Sequence, residues 1–196
     1  MKKIADMKSL LTILTTAFVV LVFIALPLTA VAASKESERQ EIRKMAKQTL
    51  SRLYKAQPSA KRAIEGAAGY AVFSNFGTKI FVAGGGSGKG VAVTNATKKE
   101  TFMKMVEVQA GLGFGVKKFS VIFVFDSAAA MDGFVNKGWE YGSQATAAAK
   151  AGEKGAAMAG AASVSPGVWM YQLTDTGLAA EITAKGTKYY KNDDLN

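Results

Sequence analysis

The chain has 196 residues, enough for one domain with its own core, and its 25 Lys/Arg against 15 Asp/Glu give a net charge of +10. It contains no Cys and no His. That excludes disulfides, thiolate nucleophiles, Cys- or His-based metal sites, a lipid-modified cysteine anchor, and Ser-His-Asp or Cys-His catalysis from this chain alone, leaving carboxylate, Lys and Tyr chemistry open.

Lys2, Lys3 and Lys8 form a positive n-region, an apolar stretch runs from Leu10 to Leu26, and Pro27 breaks it before Ala30-Val31-Ala32. This is the pattern of a signal peptide over 1–32, cut after Ala32 or Ala33. The stretch is also nearly long enough to act as an uncleaved anchor. Either way the remainder, 33–196, is expected as a single domain in the periplasm or cell envelope of a bacterium, where ATP and nucleic acid are poor ligand candidates.

Residues 34–65 hold nine Lys/Arg against four Glu. The positive charge is thus gathered at the start of the expected mature chain and points to a polyanionic partner. Over 36–57, Ile42, Met45, Ala46, Thr49, Leu50, Leu53 and Tyr54 recur on one helical face, while Arg39, Arg43, Lys44, Lys47 and Lys55 lie largely off it. Two readings fit: a helix docked on its own domain with a solvated basic back, or a helix lying on a membrane surface. They coexist if the basic back meets lipid head groups. Pro58 ends this helix and starts a second short one that closes at Gly66.

From Gly69 the period changes. Tyr70–Phe73, Lys79–Ala83, Gly90–Val93 and Phe119–Phe125 are apolar or β-branched runs bounded by Gly, Asn, Asp or Ser, and they read as strands. Ser127 to Asn136 reads as a helix capped by Ser127 or Asp126 and closed by Gly138. Residues 139–165 are rich in Ala, which favours helix, but a period-2 split around a Gly152–Gly155 turn favours a hairpin of small residues. Val168–Leu173 and Leu178–Thr183, joined by Asp175-Thr176-Gly177, form a last hairpin. Lys185 to Asn196 reads as a polar tail anchored by Tyr189 and Tyr190.

Gly84-Gly85-Gly86-Ser87-Gly88-Lys89-Gly90 looks like a phosphate loop, but Ala83 and Gly90 stand where a Walker motif needs its first Gly and its Ser/Thr. It is expected to be a hairpin connection that presents backbone N–H groups and Lys89 to a phosphate at most. Gly111 to Gly115 has the wrong spacing for a dinucleotide fingerprint and reads as strand or bulge glycines. Asp126 and Asp132 are too few for a metal.

Ala67-Ala68-Gly69-Tyr70-Ala71-Val72-Phe73, the glycine cluster at 84–90, Gly111-Leu112-Gly113-Phe114-Gly115, Gly167 to Thr174 and Gly186 to Lys191 together resemble the SYLF domain family, in its small exported bacterial branch. The resemblance spans roughly 38–196. It implies a lipid-binding domain with a preference for phosphoinositides and other anionic lipids. It also implies actin binding in some fungal and animal members, which is not expected of an exported protein. It brings no catalytic residues.

The expected fold is α+β: a mainly antiparallel, barrel-like sheet with the N-terminal helix (33–57) and one further helix packed on it, and a β-rich core with polar tail over 58–196. The expected function is non-enzymatic attachment to anionic phospholipid membranes, with no cofactor and no metal. The candidate lipid contacts are Arg39, Arg43, Lys44, Lys47, Lys61, Arg62 and Lys89, with Lys117-Lys118 behind them. An envelope protein with an acidic face is the alternative partner.

Overall fold

The computed structural model describes residues 32, 34–80, 83–110, 115–141, 158–179 and 186–196. The expected signal peptide (Ala32 apart), residues 111–114, the Gly152–Gly155 turn with most of the hairpin expected around it, and 180–183 of the last expected hairpin lie outside the described residues. The chain forms two compact units, Met1–Gln40 and Glu41–Asn196. Residues 34–56 form helix α1, of which 41–56 belong to the second unit.

The apolar spacing of α1 is realised in packing. Ile42, Ala46, Thr49 and Leu53 are buried, and Met45, Leu50 and Tyr54 pack at the edge of the same cluster. Arg52 Nη2 donates to the Thr174 carbonyl at 2.6 Å. Pro58 is the N-cap of α2 (Ser59–Gly66), which buries Ala60, Ala63 and Ile64. The Asn95 side-chain amide donates to the carbonyls of Ile64 and Ala67 at 2.6 and 2.9 Å, satisfying acceptors that a helix end leaves open.

The strands are β1 (Gly69–Ile80), β2 (Ala83–Thr94), β3 (Glu100–Ala110), β4 (Gly115–Phe125), β5 (Trp139–Tyr141), β6 (Ala162–Ser165), β7 (Val168–Thr174), β8 (Gly177–Leu178) and β9 (Thr187–Lys191). Among the described residues they make one antiparallel sheet in the order β5-β9-β3-β2-β1-β4-β7-β6, with β8 on β7. The fold is α+β, as the sequence pattern implies.

Both sheet faces are buried, which is why Val121 to Phe125 is an unbroken apolar run rather than an alternating one. One face sends Val72, Val91, Val93, Phe102, Ile122, Val124, Trp169 and Tyr171 against α1 and α2. The other sends Phe73, Met103, Met105, Phe123, Phe125, Met170 and Tyr189 toward α3 (Ala128–Asp132) and the π-helical turn Gly133–Lys137 that continues it. Aromatic rings concentrate there: Phe73–Tyr189, Phe123–Tyr189, Phe125–Phe134 and Phe123–Phe134 centroids lie 4.8–5.0 Å apart. Ser127 Oγ accepts from the Ala130 N–H at 3.2 Å and is the cap of α3. Asp126 instead accepts from Trp169 Nε1 at 3.2 Å.

Three expectations are corrected. The glycines at 84–90 are not a connection: they lie inside β2, paired with β1 on one side and β3 on the other. A Cβ on Gly90 would sit 2.3 Å from Phe73 Cδ1 and 2.4 Å from the Val72 carbonyl, and one on Gly88 2.4 Å from the Ser74 carbonyl. These glycines are there because the Phe73 ring and neighbouring backbone fill the space a side chain needs. The runs 70–73 and 79–83 are not two separate strands: 70–73 and 79–80 lie in the single strand Gly69–Ile80, and Ala83 begins β2. The tail is anchored by Tyr189 and not by Tyr190: β9 pairs with both β3 and β5, Tyr189 and Leu195 are fully or nearly fully buried, and Tyr190 stays exposed.

Candidate functional site

Helix α1 carries two parallel rows at a spacing of four. Arg43, Lys47, Ser51 and Lys55 form an outer polar row, and Ala46, Leu50 and Tyr54 form an inner apolar one. The rows face a groove of about 530 Å³ whose other wall is Tyr70 on β1, Val91 and Val93 on β2, and Glu100 on β3. Those strand residues come together through register: Val93 pairs with Tyr70 on one side and Glu100 on the other. The groove is therefore an apolar trough with charges on its rim.

At one end Arg43 Nε donates to Glu100 Oε2 at 2.8 Å, and its guanidinium lies 5.2 Å from the centre of the Phe102 ring. Arg43 thus fastens the helix to the start of β3. Lys47 and Lys55 make no ion pair among the described residues, and both side chains are exposed. Three cations against one carboxylate leave the rim positive.

The two tyrosines are donors. Burial pushes the Tyr54 hydroxyl up to about 12, with Tyr70 and Glu65 adding to the rise. Burial, then the Glu100 charge, raises Tyr70 as well. Both phenols stay protonated at any physiological pH.

The seven residues singled out from sequence are dispersed. Arg43 and Lys47 stand on the groove, and Lys44 is exposed beside them on α1. Lys61 and Arg62 are exposed on α2, Lys61 within 3.9 Å of Glu65. Lys89 is exposed on β2, opposite Lys104 of β3, and is a strand residue rather than a loop residue. Arg39 belongs to the 1–40 unit and contacts Glu36 at 3.3 Å. Sequence reasoning missed Lys55, Tyr54, Tyr70 and Glu100 as site residues. The spacing of four from Arg43 to Lys55 was a usable signal for the helix wall. Nothing local marks Tyr70 or Glu100, because strand pairing brings them there.

Residues 106–196 match the family model of Ysc84, the Las17-binding protein actin regulator. Residues 106–196 thus carry the Ysc84 (SYLF) family domain. It is also 35% identical over 157 residues to Beta cell expansion factor A of Aeromonas veronii, an alignment covering 80% of this chain and 58% of that protein. The chain thus spans little more than half the length of that curated relative. The family match begins at Val106, in β3, and so takes in β4 to β9 but not α1, whose rows form one wall of the groove.

Proposed function

We propose that this protein is a non-enzymatic binding protein that attaches to anionic phospholipid surfaces through the basic side of α1. The observation that carries the reading is the exposed lysine group Lys44, Lys47 and Lys55, held beside an apolar trough by a helix whose other face is fixed in the core. Each Lys or Arg near a membrane of negative potential gains about 1 kcal/mol. Three on one helix side, with Lys61 and Arg62 on α2 available to add to them, give useful and salt-sensitive attachment. The match of 106–196 to the Ysc84 (SYLF) family, together with the resemblance of the chain's motifs to it, supports a lipid-directed role. The leader pattern at 1–32 supports export to the periplasm or envelope, where actin is no partner.

The test is flotation of the purified protein with vesicles of rising phosphatidylglycerol content. A Lys44→Glu, Lys47→Glu, Lys55→Glu variant reverses the exposed lysines and leaves Arg43 on Glu100. It should lose flotation while melting within a few degrees of the parent, since exposed charges contribute little to stability. Undiminished flotation of that variant, or no flotation of the parent at low salt, would overturn the proposal.

A further inference from the structure

The groove does something a flat basic surface does not: it offers a concave, partly open apolar trough. The wall from Arg43 to Lys55 spans twelve residues of helix, about 18 Å at 1.5 Å per residue. Its volume of about 530 Å³ lies within the range of pockets that enclose a small ligand. One helix row and the rungs around Tyr70, Val91 and Val93 bound it, and its volume suits a single acyl chain. Chemically the lining is divided. Leu50, Tyr70, Val91 and Val93 are apolar surface. Glu100 is engaged by Arg43 at 2.8 Å, which leaves Lys47 and Lys55 as the charges that face an incoming ligand.

We infer that this groove binds a single-chain anionic amphiphile taken up as a monomer, its chain along Leu50, Tyr70, Val91 and Val93 and its acidic head between Lys47 and Lys55. The inference deepens the lipid reading and takes its class of ligand from it. The apolar wall gains from covering the chain. The two lysines gain from an anion and repel a cation. The hydroxyls of Tyr54 and Tyr70, protonated donors, lie on the same lining and suit an oxygen-rich head. The site differs from vesicle attachment in kind, because its ligand leaves the membrane and its headgroup stays at the protein.

The probe is sodium laurate below its micelle concentration, titrated calorimetrically into the purified protein. Dodecyltrimethylammonium at the same concentrations is the sign control. The expected result is saturable one-to-one binding of laurate that weakens with salt, and none of the cation. Ser51→Trp places an indole across the exposed lip without touching the core and should weaken laurate at least about tenfold. Lys47→Glu with Lys55→Glu should do the same, and serves alone if the tryptophan variant does not fold. Thermal melting checks both. A parent that floats with anionic vesicles but ignores laurate removes the groove and leaves surface attachment standing. Laurate binding without flotation keeps the groove and removes surface attachment. Equal binding of laurate and the cation, or folded variants that bind laurate as the parent does, overturns the inference.

Discussion

Gly90 illustrates how a single residue can mislead and then explain. In the sequence it ends a phosphate-loop lookalike, and in the structure it is a strand residue whose missing Cβ leaves room for Phe73 and the Val72 carbonyl. Gly90→Ala should cost about 1–3 kcal/mol or more, read as a fall in urea midpoint, because the buried Phe73 ring and the Val72 carbonyl both block the new atom. The same change in a solvent-exposed loop would be nearly silent, so the measurement separates strand from connection. Tyr171 is fully buried, and among the described residues its hydroxyl has no hydrogen-bond partner. Burial accordingly raises its pKa. Tyr171→Phe should be neutral or stabilising by about 1 kcal/mol in equilibrium unfolding, since it removes a desolvated polar atom and keeps the ring. Tyr54, Tyr70 and Tyr171 all hold their protons more tightly folded than unfolded. For a group raised in this way the unfolded chain binds fewer protons above pH 10, so stability is intact below that and declines as pH climbs toward about 12, the Tyr54 value. Stepwise thermal melts over that window should show the decline, and Tyr54→Phe should flatten it.

At the scale of the element, α1 carries structure and function on different sides of one cylinder. Leu53 is fully buried and Ile42 nearly so, so Leu53→Ala should cost about 2–5 kcal/mol. Reversal of the exposed Lys44 should leave the melting temperature almost unchanged. Arg43 breaks this division. It is basic, yet it pairs with Glu100 and lies against Phe102, so Arg43→Glu should lower the melting temperature where Lys44→Glu does not. Charge reversal of every cation on the helix would therefore mix loss of attachment with loss of docking. The apolar face and the C-terminal end of α1 were legible from spacing and from Pro58. The role of Arg43 was not, since its partner lies 57 residues away and arrives by strand pairing. The β3 strand was missed for a related reason: Glu100, Lys104 and Glu107 interrupt its apolar pattern, and their places are set by cross-strand neighbours rather than by local period.

For the molecule as a whole, the C-terminal stretch is structural. Asn196 donates to the Phe102 carbonyl at 2.8 Å and accepts from its N–H at 3.0 Å, continuing the pairing of β9 along β3. Leu195 fills the core under α1 and α2. Asn196→Ala should cost about 1–2 kcal/mol, and loss of 192–196 considerably more, measured by denaturant midpoint. The sequence by itself determined what depends on neighbours in the chain. That includes the α+β class from the change of period at Gly69, α1 and its faces, a helix start capped by Ser127 or Asp126, the surplus of positive charge at 34–65 and the family resemblance. Tertiary structure alone decided what depends on partners distant in sequence. It placed the glycines of 84–90 inside a central strand, drew the polar tail into the sheet, and brought Tyr70, Val93 and Glu100 across three strands to face Lys47 and Lys55. Helical periodicity repeats within a few residues and can be read along the chain. Sheet order and register are set by which faces must be buried together, a choice made only when the whole core closes.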